Sequence, residues 1–160
     1  MSYIEIAGWT GKATSGGLIS RHDLGSTPSP ASNSKAKGER TEGIILGLLM
    51  RKGYVVLLPF GNNQRYDLVY DDGIRMWKCQ CKTGKWKNGT IIFNACSTNG
   101  FTGKKRGYRG QIDFFLVYCD HVDRVYRIPV GAITERIARL RVDPVLRNKA
   151  RCKWASTYEL

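Results

Sequence analysis

Two alternating runs on either side of Asp71-Asp72-Gly73 constrain this chain more than any other feature. Tyr66 to Tyr70 reads as one strand, Asp71-Asp72-Gly73 as a tight hairpin turn, and Ile74 to Lys82 as the returning strand. Successive side chains of a strand point to opposite faces. In the returning strand this puts Trp77, Cys79 and Cys81 on one face, suited to a core, and Lys78, Gln80 and Lys82 on the other. With Asp72-Gly73 as a two-residue turn, Asp71 pairs with Ile74 and Asp67 with Lys78. Asp67 then shares the face of Gln80 and Lys82, a placement that a one-residue slip would undo.

A carboxylate, an amide and an ammonium on one patch suit phosphodiester hydrolysis. A divalent cation bridging the phosphate and the attacking water lowers that water's pKa and neutralises developing charge. Mg²⁺ prefers oxygen ligands and keeps several waters, so one or two carboxylates suffice. In this reading Asp67 is the main metal ligand, Gln80 offers a neutral amide oxygen, and Lys82 positions the nucleophile or stabilises the transition state. The spacing alone fits equally well a surface hairpin with a weakly stabilising Asp–Lys ion pair.

A helix expected over Gly38 to Lys52, closed by Lys52 and Gly53, shifts the balance. Glu42 lies at helical spacing from Ile45, Leu46 and Leu49, on or beside the apolar stripe, where an unpaired carboxylate is costly. A metal or Lys82 would satisfy it. Glu39, one turn earlier, is the rival, although a first-turn Glu often only complements the helix dipole.

Around these elements the pattern predicts strands at Tyr54 to Leu58, Thr90 to Asn94, Phe114 to Cys119 and Val125 to Pro129. Helices are expected at Ala132 to Leu140 and at Asn148 to Thr157. Helix, several strands, then helix describes an α/β (α+β) domain with a mixed central β-sheet flanked by helices. Residues 1–36 read as an extension, with a short strand at Tyr3 to Ala7 and a Ser/Pro/Gly-rich linker over Asp23 to Lys37. The core domain is expected over 37–160.

Charge supplies the partner. Lys and Arg number 26 against 13 Asp and Glu, a net +13. Such an excess favours a polyanion through phosphate contacts and counterion release. Between Gly73 and Ile112 there is no acidic residue but nine basic ones: Arg75, Lys78, Lys82, Lys85, Lys87, Lys104, Lys105, Arg106 and Arg109. Apart from Lys82, these are the candidate DNA-binding residues, with Trp77, Trp86, Phe93, Phe101 and Tyr108 interleaved. No basic amphipathic helix suits a membrane surface, and no apolar run is long enough to cross one. Five cysteines, an odd number, without a signal-peptide pattern suggest reduced thiols in a cytoplasmic protein. Cys79 and Cys81 have no second ligand pair at zinc spacing, and His22 and His121 supply none.

At this point several segments resemble a known family. They are Gly38-Glu39-Arg40-Thr41-Glu42, Arg51-Lys52-Gly53-Tyr54, Pro59 through Val69, Cys79-Gln80-Cys81-Lys82-Thr83-Gly84, Ile112 through Phe115, Tyr126 through Val130, and Trp154 through Tyr158. Together, over about Lys37 to Leu160, they resemble the PD-(D/E)XK endonucleases associated with group I introns, a homing-endonuclease type. The resemblance implies a restriction-endonuclease-like core, Mg²⁺ as cofactor and double-stranded DNA as substrate. It places the family's helix glutamate on Glu42, its metal-binding aspartate on Asp67 and its catalytic lysine on Lys82. It assigns a metal-facing backbone carbonyl to Cys81. Gln80 stands where an acidic residue is usual, as in part of the family, and Tyr66 stands where a proline usually precedes the aspartate. Asp113 matches a recurring position and reads as structural, paired with Arg109.

Two other readings stand beside a site-specific DNA endonuclease. One is a structure-specific nuclease of the same fold, such as a Holliday-junction resolvase. The other is a non-catalytic nucleic-acid-binding module that assists intron RNA. A double-strand cut by so small a chain is most simply made by an even-numbered homo-oligomer, a homodimer or homotetramer. Val145, Leu146, Trp154 and Tyr158 are candidates for either its interface or the core.

Overall fold

The computed structural model describes residues 34–61, 63–144 and 152–160. The expected strand at Tyr3 to Ala7, nearly all of the N-terminal extension, and Val145 and Leu146 lie outside the described residues. The helix α1 spans Ser34–Arg51, starting four residues before the expected Gly38. Its end follows the sequence. Gly53 takes a left-handed φ of 84°, Gly53 N donates to Met50 O at 2.9 Å and Tyr54 N to Leu49 O at 3.2 Å. This is the paired closure that a glycine after the last turn permits.

Five strands build the central sheet: β1 (Val55–Leu57), β2 (Leu68–Asp71), β3 (Met76–Thr83), β8 (Phe114–Cys119) and β9 (Arg124–Pro129). Their order is β1-β2-β3-β8-β9. β3 and β8 run parallel and the other neighbours antiparallel, so the sheet is mixed. The connection between β3 and β8 carries β4 (Lys85–Lys87), β5 (Thr90–Asn94) and the two-stranded ribbon β6 (Ser97–Thr98) with β7 (Lys105–Arg106). β4, β5 and the late strand β10 (Ile137–Arg141) form a second, three-stranded sheet.

Each face of the central sheet has its own cover. On one, Ile45 and Leu49 of α1 are fully buried against Leu68, Tyr70, Cys79, Cys81, Leu116 and Val125. Burying a side chain of this size contributes about 1.5–3 kcal/mol. On the other, Phe115, Val117 and Ile128 pack against Ile91 and Phe93 of β5 and Ala138 and Leu140 of β10. Among the described residues a single α-helix flanks the sheet, and the second sheet takes the place of further helices.

That difference traces to one expectation that fails. Ala132 to Leu140 is not a helix: a 3₁₀ turn at Val130–Ala132 is followed by β10. Ala138 and Leu140 are buried while Ile137 and Arg139 are exposed, the period-two pattern of a half-buried strand. β5 supplies its partner, Ala138 pairing with Phe93 and Leu140 with Ile91. The expected helix at Asn148 to Thr157 lies partly outside the described residues. Its described end is a 3₁₀ turn, Ala155–Tyr158, with Tyr158 packed on the core. The chain then closes onto β9, where Glu159 bridges Tyr126, Leu160 N donates to Val125 O and Glu159 pairs with Arg124. No helix among the described residues is long and apolar enough to cross a membrane.

Candidate active site

The hairpin that constrains the sequence forms β2 and β3, with a register two residues away from the expected one. Asp71 pairs with Met76 and Val69 with Lys78, instead of Asp71 with Ile74 and Asp67 with Lys78. The cause is Asp72, whose Oδ1 accepts from Ile74 N and Arg75 N, both at 3.0 Å, while its Oδ2 accepts from Trp77 Nε1 at 2.7 Å. These bonds stabilise a four-residue loop in place of the two-residue turn. Their donors also hold the Asp72 carboxyl below the usual carboxylate range, the Arg75 N–H foremost. A shift of two residues preserves every face assignment.

Asp67 therefore stays on the face of Gln80 and Lys82, and now sits opposite Gln80. Its N–H donates to Cys79 O at 2.8 Å. Its Oδ2 accepts from Cys81 N at 2.7 Å and from the Gln80 amide nitrogen. Burial pushes the Asp67 carboxyl up, with the Cys81 N–H, the Lys82 charge and the Gln80 amide pulling the other way. Lys82 and Asp67 form no direct ion pair. The Lys82 ammonium instead donates to the Tyr108 hydroxyl at 3.2 Å.

Glu42 reaches the site from α1. The buried stripe is Thr41, Ile45 and Leu49, so Glu42 lies beside it and is exposed, contrary to the expectation of a costly burial. Thr41 docks the helix on β3, with 2.7 Å between its hydroxyl and that of Thr83. Glu42, Asp67, Tyr66, Gln64 and Leu58 line one cleft of about 340 Å³. Desolvation at the seam raises the Glu42 carboxyl, and the Asp67 charge raises it further. Its rival Glu39 is exposed and lies 3.9 Å from Lys35, an ordinary pair one turn apart.

The donor set fits a hard divalent cation. Two carboxylates face one cleft, each held above its ordinary pKa and so each favoured by a nearby positive charge. Gln80 is buried and turns its amide nitrogen to Asp67, so it anchors that carboxylate instead of offering the amide oxygen expected of it. Cys81 contributes only backbone: its thiol is buried and pushed well up by that burial, away from the thiolate that zinc requires. In a strand the N–H and C=O of one residue leave on the same side, so the Cys81 carbonyl points the way its N–H points, toward Asp67. Among the described residues no three His, Cys, Asp or Glu side chains cluster as a metal site.

The candidate DNA-binding cations are exposed but divided. Lys104, Lys105, Arg106 and Arg109 are exposed on or next to the β6–β7 ribbon. Lys78 is exposed on the Asp67 face and lies 5.8 Å from the Tyr66 ring centroid. Arg75, the last residue of the hairpin loop, stacks 3.7 Å from the Trp77 ring centroid. Lys85 and Lys87 are exposed on the outer side of the second sheet, whose Trp86 turns into the core. Asp113 is structural, accepting from Lys78 N at 2.8 Å, and its ionic partner is Arg75 at 3.6 Å instead of Arg109. Arg65 carries only parity as a sequence signal, standing two residues before Asp67, and Tyr108 only its place among the aromatics interleaved with the basic residues.

Compared with known proteins, residues 32–160 match the family model for PD-(D/E)XK endonucleases. A solved structure, that of the bacterial homing endonuclease I-Ssp6803I, is similar at 25% identity and a TM-score of 0.66. The similarity covers 79% of this chain and 88% of that one. The curated proteins compared contain no match.

Proposed function

The chain belongs to the PD-(D/E)XK endonuclease family, and from that premise we propose that it cuts double-stranded DNA at a specific site with the help of Mg²⁺, as a homing endonuclease carried by a group I intron. The observation that carries this reading is Asp67 bound to Gln80 on the sheet face that also carries Lys82, with Glu42 lining one cleft together with Asp67. A divalent ion held by Asp67, by Glu42 and by the Cys81 carbonyl would supply an acidified water and charge neutralisation at the scissile phosphate.

The remaining work falls to the chain itself. Asp67 is fixed by the Cys81 N–H and the Gln80 amide, so its free oxygen keeps one direction. Lys82 presents a positive charge beside the cleft, where an attacking oxygen and a pentavalent phosphate gather negative charge. Lys78, Arg75 and the cations of the ribbon hold the phosphate backbone and set its register. Two copies related by a two-fold axis present two such sites to the antiparallel strands, which favours a pseudo-palindromic target and an even-numbered assembly.

The test is a randomised duplex library incubated with the protein and Mg²⁺, with cleaved ends captured and sequenced. Recovery of one discrete site supports the proposal. Asp67→Ala and Lys82→Ala each lose about a hundredfold or more in rate while keeping most of their DNA affinity. Cleavage of four-way junctions in preference to linear duplex would favour the resolvase reading. Binding without cleavage in any divalent metal would favour the RNA-assisting one.

A further inference from the structure

A lysine has a flexible stem, and its ammonium is useful to a reaction only where something holds it. Asp67, the nearby carboxylate, is already committed to Gln80 and the Cys81 N–H. What receives Lys82 is Tyr108. Its hydroxyl lies 3.2 Å from the ammonium, and its ring centroid 5.0 Å away. Tyr108 is itself only 5% exposed. Its ring stands edge-on to Phe115, 5.6 Å between centroids, and the Arg65 guanidinium lies 4.3 Å from its centroid.

Arg65 does more than stack. Its Nε donates to Gln111 Oε1 at 2.7 Å, its Nη1 to Ser97 Oγ at 2.7 Å and its Nη2 to Gly107 O at 2.8 Å. Ser97 opens β6, and Gly107 follows β7. One planar fork thus ties both ends of the basic ribbon to the ring that holds Lys82, a geometry a lysine cannot reproduce. We infer that Tyr108 is a positioning residue for Lys82, and that Arg65 locks it to the base of the ribbon, so that the DNA-facing ribbon and the lysine move as one unit. This rests on the nuclease reading above and adds to it a route by which the ribbon's seating on DNA sets the lysine's position.

Tyr108→Phe is the sharp test, because it keeps the ring, its Phe115 edge and its Arg65 stack and deletes only the hydroxyl. Three quantities are measured: the single-turnover rate with protein in excess on a duplex carrying the recovered site, affinity for the same duplex in EDTA, and melting temperature. The expected result is a rate about tenfold to a hundredfold lower, with affinity and melting unchanged. Arg65→Lys, which keeps the charge and loses the fork, shows the same fall and does not rescue. A Tyr108→Phe enzyme at the wild-type rate overturns the inference, as does a loss matched by weaker binding or lower melting. A wild-type protein that cuts nothing in any divalent metal overturns the nuclease reading and this inference with it, a failure told apart by the inactive wild type.

Discussion

Asp67 is stabilised by two hydrogen bonds yet disfavoured by burial, and burial is the larger effect on its proton affinity. Its folded pKa is therefore above the unfolded one. Between those two values the folded protein binds more protons than the unfolded one, so metal-free stability falls as pH rises through that window and is flat above it. Asp67→Asn removes the charge. Without metal it should melt above wild type at neutral pH, and the gap should close as pH drops to the ordinary carboxylate range. With metal at a hundred times its dissociation constant, wild type should gain about 2.7 kcal/mol and the asparagine variant almost nothing. Scanning calorimetry in EDTA and in Mg²⁺ checks both. At metal concentrations below saturation, cleavage should fade with falling pH sooner than for an unshifted carboxylate, because protons compete with the cation at Asp67 and Glu42, whose metal-free carboxyls are raised. At Gln80 the expectation is graded: Gln80→Glu retains some metal-dependent cleavage and Gln80→Ala less. Equal rates for Gln80→Ala and wild type would make Gln80 a bystander.

Among the elements, the hairpin shows how one side chain sets a register. Asp72 captures two backbone N–H groups and an indole, and the turn becomes four residues long. The helix depends on its seam with β3. The passage from the central sheet to the second one depends on Gly84. A Cβ there would stand 2.6 Å from Ile91 Cγ2 and 3.2 Å from Val117 Cγ1, both in the core between the sheets. Gly84→Ala should overpack that junction and cost about 1–3 kcal/mol, a drop of roughly 2–4 °C per kcal/mol in melting temperature. A variant that melts with the wild type would show that Ile91 can move aside at no cost.

On the scale of the whole molecule, the charge of +13 and the acid-free stretch should govern association under the proposed function. With about six phosphates neutralised, log K against log[salt] should fall with a slope of roughly −5. Anisotropy titrations across a salt series measure it, and a flat line would remove the polyanion partner. Assembly is measured by light scattering, free and on DNA, where an even number of copies is expected. A monomer in both states that still makes a clean double-strand break would sink the two-fold arrangement and require sequential nicking.

By itself the sequence determined what short-range periodicity can carry: the helix and its glycine stop, the β2–β3 hairpin, and the common face of Asp67, Gln80 and Lys82. That face was legible even though the register was misjudged, because an error of two residues leaves parity intact. Tertiary structure decided the rest. It set Glu42 beside Asp67 in one cleft and left Glu39 outside that lining, a placement that follows from how the helix docks through Thr41 on Thr83. It turned the second half of Ala132 to Leu140 into a strand, because β5 offers an edge and pairing outweighs local propensity. It joined Lys82 to Tyr108 and Arg65 across β4, β5 and the ribbon. Contacts between residues so far apart depend on how the intervening chain folds back, and no local pattern near either residue records that.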